Sequence, residues 1–246
     1  VDTVSVVESV GLDLAKFETT DDFTGDVGTV DQPWSGAADL FIHRGSGKLH
    51  VRAKGLVPID RFILDTPNVS HEVALGGGSS LLQPFTEIVI LRGKALYLGL
   101  NASEVAARIF IGYHNNPIMD AYLRTEIGAV VEDVYQYGGT FIYNGLLNAL
   151  DADYLTMKFV VAGGYCQFNG VHMIYVQTGG HTDFRDMTYS STIYPASVQT
   201  AYLLGGTMDA TKGIAGKAIT TAYISPTFNL IEDDKLTITN RVNLWE

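Results

Sequence analysis

From Ala38 onward, short runs of β-branched, aromatic and aliphatic residues alternate with Gly, Asn, Asp and Pro, and apolar residues almost never recur at helical spacing. Runs of this kind suit pleated, half-buried strands, and the residues between them suit turns. The pattern predicts strands at 40–43, 48–53, 61–64, 87–91, 95–100, 108–113, 130–137, 140–143, 154–161, 171–177, 188–194, 198–204, 218–224 and 235–242. Strands at roughly ten-residue spacing without intervening helices argue for antiparallel sandwiches or barrels and against βαβ units. Arg44-Gly45-Ser46-Gly47 and Arg92-Gly93-Lys94 read as hairpin turns. Single turns of helix are expected at 103–108, opened by a Ser103 cap, and at 145–150.

A chain of 246 residues is long enough to bury about 70–75% of its unfolded surface, as one sandwich with insertions or as two smaller β units. Its 46% hydrophobic content fits a globular protein. No apolar run reaches the roughly 18–20 residues that a membrane-crossing helix needs. Residues 1–16 lack the basic stretch and apolar core of a signal peptide. Residues 1–35 hold eight acids against one base, Lys16, and read as an extended arm with a short β piece at Val4 to Val7. Beyond the arm, 36–115 reads as the core of a sandwich. Residues 116–246 read as strands that complete it or form a second β domain. There is no exact internal repeat, only a loose echo between the stretches starting at Pro84 and Pro226.

Net charge is −11, with 18 aspartates against nine glutamates. Phosphate recognition needs a basic footprint, and no window gathers more than two or three Lys or Arg, so direct binding of nucleic acid is not expected. An acidic surface serves ordinary solubility; it also serves a halophilic setting, where salt screens self-repulsion. The single cysteine, Cys166, rules out an internal disulfide and sits in an apolar, strand-like context.

Nothing in the chain reads as an enzyme, and no catalytic residue, cofactor site or metal site is assigned. The histidines His43, His50, His71, His114, His172 and His181 show no metal-ligand spacing. His43 and His50 flank one hairpin. The densest polar cluster runs from Gly179 to Asp186 and contains His181-Thr182-Asp183. Its two weighed roles are a solvated turn capped by its own side chains, and a hard-metal or general-base site of a β-fold hydrolase. Gly76-Gly77-Gly78 leads into strand-like sequence, so it does not form a phosphate cradle at a helix start. Asp233-Asp234 reads as a charged turn.

The aromatic residues carry more information. Thirteen tyrosines and eleven phenylalanines populate the strands, ten of the tyrosines between 135 and 223. Core packing explains most of them. Charge-poor, Tyr-rich faces are also what protein interfaces use, and a glycan-stacking face, including one with Trp34, uses the same groups. Asn68-Val69-Ser70 and Asn101-Ala102-Ser103 are glycosylation sequons that matter only in a secreted chain.

The stretch from Phe85 through Gly93 to Asn101, continuing to Arg108-Ile109-Phe110-Ile111-Gly112-Tyr113, resembles the strand, tight turn, strand, loop, strand segment of β-sandwich virion proteins. With the acidic arm and the aspartate-rich composition, the chain resembles vertical single-jelly-roll major capsid proteins of icosahedral internal-membrane viruses. The resemblance implies an all-β antiparallel jelly roll with an insertion or a second, smaller β domain. It further implies a virion structural subunit that assembles with itself and with a second capsid subunit, close to an internal membrane. The alternative carried beside it is a carbohydrate-binding or adhesin β-sandwich, as in a phage fibre or tail module, with a glycan receptor as partner.

Overall fold

The computed structural model describes residues 3–7, 32–34, 37–45, 48–53, 59–65, 72–75, 85–97, 105–112, 121–125, 130–143, 156–185, 187–189, 192–213 and 215–245. Its first strands are β1 (Thr3–Val7), β2 (Gln32–Trp34), β3 (Ala37–Gly45), β4 (Lys48–Ala53), β5 (Ile59–Asp65) and β6 (Glu72–Leu75). Next come β7 (Phe85–Tyr97), β8 (Val105–Ile111), β9 (Ala121–Thr125), β10 (Val130–Gln136), β11 (Thr140–Ile142), β12 (Thr156–Val161), β13 (Tyr165–Phe168) and β14 (Val171–Gln177). The last are β15 (His181–Phe184), β16 (Met187–Tyr189), β17 (Thr192–Tyr194), β18 (Ser197–Leu203), β19 (Gly206–Asp209), β20 (Lys217–Ile224), β21 (Phe228–Ile231) and β22 (Leu236–Asn243).

The pairing overturns the antiparallel jelly roll. β1 runs antiparallel on β5, and β2, β3 and β4 form an antiparallel meander. Beyond these the ladders are parallel, except for the small hairpin of β16 with β17. One ladder, sheet A, runs β5, β7, β8, β10, β12, β14, β18, β20, β22. The other, sheet B, runs β4, β6, the second half of β7, β9, β11, β13, β15, β19, β21. From β8 on, the chain alternates between the two sheets, and each strand of the ladders lies on the previous strand of its own sheet. This is a two-sheeted parallel β-solenoid. Parallel neighbours require a crossover, and here a strand of the opposite sheet supplies it in place of a helix. β8 is bonded to both β7 and β10, so sheet A continues from β7 through β8 to β10 without a break.

Many strand positions match the sequence pattern; their connections do not. The Arg44–Gly47 hairpin is present, with Gly45 opposite Lys48 and His43 opposite His50. Gly93, expected to reverse the chain, lies at φ 102° inside the continuous strand β7. It passes the chain from sheet A, where Ile88 lies beside Ile109, to sheet B, where Ala95 lies beside Leu123. The second half of the expected helical turn at 103–108 belongs to β8; residues 145–150 lie outside the described set. The echo between Pro84 and Pro226 has no structural counterpart, because Phe85–Ile88 lies in sheet A and β21 in sheet B.

The coils do repeat, with variable length. Gln136, Val161, Gln177, Leu203 and Ile224 form one column of sheet A, so successive coils take 25, 16, 26 and 21 residues. A Gly-Gly step follows the column residue by two in four of these coils, at 138–139, 163–164, 179–180 and 205–206. There the backbone turns from sheet A into sheet B. Ala162 N–H donates to the Gln136 carbonyl (2.7 Å) and Tyr165 N–H to the Gly139 carbonyl (2.8 Å), so the ladder continues through the corner. Gly180 is at φ +72°, and a Cβ there would stand 2.6 Å from the Gly164 carbonyl oxygen of the preceding coil. Only glycine accepts both the left-handed backbone and that approach.

Two buried glutamines seal the corners. Gln177 Nε2 donates to the carbonyls of Gly179, Gly180 and, in the next coil, Thr207, at 3.2, 3.3 and 3.0 Å. Gln136 does the same for Gly138, Gly139 and Tyr165. Tyr175 donates its hydroxyl proton to Gln177 Oε1 (2.9 Å), whereas Val134 occupies the Tyr175 column in the Gln136 coil and Gln136 Oε1 has no partner among the described residues.

The core fills the space between the sheets. In sheet A it stacks Ile88, Ile109, Val134, Phe159, Tyr175, Ala201 and Ala222 in register. Sheet B contributes Leu123, Phe141, Cys166, Thr182 and Met208. At the centre Phe168 stacks on His172 at 4.2 Å and meets Phe159 edge-on at 4.8 Å. Strict alternation fails at one place in several of the coils. Val198, Ala201 and Leu203 are buried, which leaves Gln199 and Thr200 together on the outer side. The same step recurs at Glu132-Asp133 between buried Val131 and Val134.

Candidate functional site

In a solenoid, each outward position becomes a straight row across coils about 4.8 Å apart. On the outer side of sheet B one row runs Lys94, Tyr122, Thr140, Tyr165, His181, Thr207 and Asn229. The parallel row beside it runs Arg124, Ile142, Gln167, Asp183, Asp209 and Ile231. Within the polar cluster singled out by sequence, His181–Phe184 thus form strand β15 and not a solvated turn.

Rings and charges interlock there. The Tyr165 and His181 rings are stacked, with planes 8° from parallel and centroids 5.9 Å apart, and Lys94 Nζ stands 5.3 Å over the Tyr122 ring. Asp183 is the hub. Its carboxylate accepts from the Tyr165 hydroxyl (2.7 Å), from Arg185 Nη2 (2.5 Å) and, in an ion pair when the imidazole is protonated, meets His181 Nε2 at 3.0 Å. Burial by itself would raise the Asp183 pKa, but the donors Tyr165, Arg185 and His181 outweigh it and the carboxyl lies below its ordinary value. Burial, and then the bond to Asp183 and its charge, pushes the Tyr165 phenol up to about 12. Asp209, in register with Asp183 on the next coil, is also held low, first by the Thr211 hydroxyl, with its backbone N–H and Lys212 adding to this.

The two adjacent carboxylates are therefore both drawn toward the ionised form. Acid–base cleavage needs one group that retains its proton beside one that does not, and this pair offers acceptors alone. What the surface does offer is a ladder of stacked aromatic rings with fixed hydrogen-bonding groups beside it.

The other candidates disperse. His172 is fully buried in the aromatic core; its Nε2 meets the Asn169 carbonyl at 2.9 Å, and burial lowers its pKa to about 4. Cys166 is a buried free thiol with its pKa raised by burial. Asp233 lies in the turn between β21 and β22 and accepts from Lys235 N–H. His71, His114, Gly76–Gly78 and both sequons lie outside the described residues. Among the described residues no group of three or more His, Cys, Asp or Glu is placed to hold a metal ion.

Sequence reading missed Tyr122, Arg124 and Gln167 as members of one surface, because 121–125 and 165–168 were not assigned as strands. For Gln167 the available signal was its spacing from a Gly-Gly corner, repeated in Gly139-Thr140, Gly164-Tyr165 and Gly180-His181; Tyr122 and Arg124 follow no such corner. The chain matches no protein-family model, no curated protein and no solved structure.

Proposed function

We propose that this protein is a glycan-recognition β-solenoid of the fibre or adhesin kind, with the outer face of sheet B as its binding face. The observation that carries this is the matched Tyr165–His181 pair on a straight outward row, flanked by Gln167, Asp183 and Arg185. Sugar rings present C–H faces that stack on aromatic planes, and their hydroxyl pairs take hydrogen bonds from planar side chains held edge-on. Rigid strands fix both features, and extended ligands match a surface that repeats along one axis. Nine strands of sheet A at about 4.8 Å give a rod about 38 Å long. The capsid-subunit expectation is not taken further, because the antiparallel jelly roll on which it was built is absent; a virion fibre or spike is the setting this proposal retains.

The test is a glycan array followed by calorimetry on the ligands found. His181→Ala and Tyr122→Ala should each weaken binding about two- to tenfold while the thermal melt is kept, in line with stacking contributions of about 0.5–1.5 kcal/mol. Equal binding by wild type and both variants would place the site elsewhere.

A further inference from the structure

We infer that the glycan taken by this face is anionic, with its charge on carboxylates, an inference that rests on the glycan-binding proposal above. The support is a separation of charge by depth. The protein carries a net −11, yet the bases on this face stand outward and the acids lie beneath them. Side chains of His181, Arg185 and Lys212 are 44, 36 and 49% exposed, whereas those of Asp183 and Asp209 are 7 and 12% exposed. Each sunken acid is already paired, Asp183 with Arg185 and Asp209 with Lys212 at 3.3 Å. An approaching ligand therefore meets the Arg185 and Lys212 cations first.

Arg185 supplies a second, independent observation. Nη2 is committed to Asp183, while the buried Nε has no hydrogen-bond partner among the described residues. A buried, unused guanidinium N–H costs free energy unless something accepts from it. Carboxylates are the planar acceptors that guanidinium edges fit best. The Lys94–Tyr122 pair lies further along the ring row, so an extended polyanion stacked on that row meets positive charge at both ends.

The experiment measures binding of the full chain to polygalacturonate, to the same polymer methyl-esterified, to a sulfated glucan, to neutral glucan and to duplex DNA. The expected result is at least tenfold preference for the free-acid polymer over its ester, falling steeply between 0.05 and 0.5 M salt (roughly the range over which screening acts). Lys94→Gln with Lys212→Gln should remove most of that preference and keep the melt. Equal affinity for acid and ester overturns the anionic assignment and leaves glycan recognition standing. Preference for the sulfated polymer or for DNA overturns the carboxylate. Binding to none of the glycans removes both proposals.

Discussion

Gly180→Ala tests whether the Gly-Gly corners hold the coils in parallel stack. At φ +72° an alanine pays about 1–2 kcal/mol for left-handed backbone, and restriction of the unfolded chain returns about 0.4–1 kcal/mol. The decisive addition is steric. The new Cβ would stand 2.6 Å from the Gly164 carbonyl oxygen and 2.8 Å from the Gly163 carbonyl carbon, both backbone atoms of the neighbouring coil. Those atoms are in the ladder, where His181 N–H donates to the Gly164 carbonyl at 2.8 Å, so relief means moving two coils apart. Overpacking of this kind costs about 1–3 kcal/mol more, for a total of about 2–4 kcal/mol. Gly216→Ala is the matched control: its φ is +107°, but the nearest atom, Pro195 Cβ, is 3.4 Å away. It carries backbone strain without the clash. Urea unfolding at neutral pH, followed by far-ultraviolet circular dichroism, should give a midpoint for Gly180→Ala well below that of Gly216→Ala. If the two variants lose the same stability, corner stacking does not hold the fold.

Two further outcomes follow from the interior. Gln177→Leu removes donors to three carbonyls and the acceptor of Tyr175; leucine fits the column, as Leu203 shows, so the loss should be about 1–3 kcal/mol from unmade hydrogen bonds. Combined with Tyr175→Phe in a denaturation cycle, the two should be less than additive, and strict additivity would mean that the pair does not act together. His172 has a folded pKa of about 4 against an ordinary 6.5, so the unfolded chain binds the proton more readily. Its stabilising contribution is full above about pH 6.5 and declines on acidification to about pH 4, by about 3 kcal/mol. His172→Phe, which keeps the ring contacts with Phe168 and Phe159, should flatten stability across that window; an unchanged pH profile would refute the assignment.

Alternating apolar runs and Gly-rich punctuation made an all-β chain legible, along with the positions of β4 and β14, the β3–β4 hairpin and the core setting of Cys166. These follow from local physics: a β-branched or aromatic run favours extended backbone wherever it ends up. The direction in which strands pair was not legible, since a buried strand asks for the same residues in parallel and antiparallel ladders. Gly93 shows the ambiguity, because a positive-φ glycine serves a reversal and a change of sheet equally well. The repeat was obscured by coil lengths from 16 to 26 residues, absorbed where the chain leaves the ladder. The face of Tyr122, Tyr165 and His181 exists only once coils stack, because residues 122, 165 and 181 become neighbours through inter-strand hydrogen bonds that no local stretch encodes. Asp183 could be picked out as polar from its neighbours in the chain; that it is sunk beneath Arg185 and His181 was decided by the tertiary structure, where burial and three donors meet on one carboxylate.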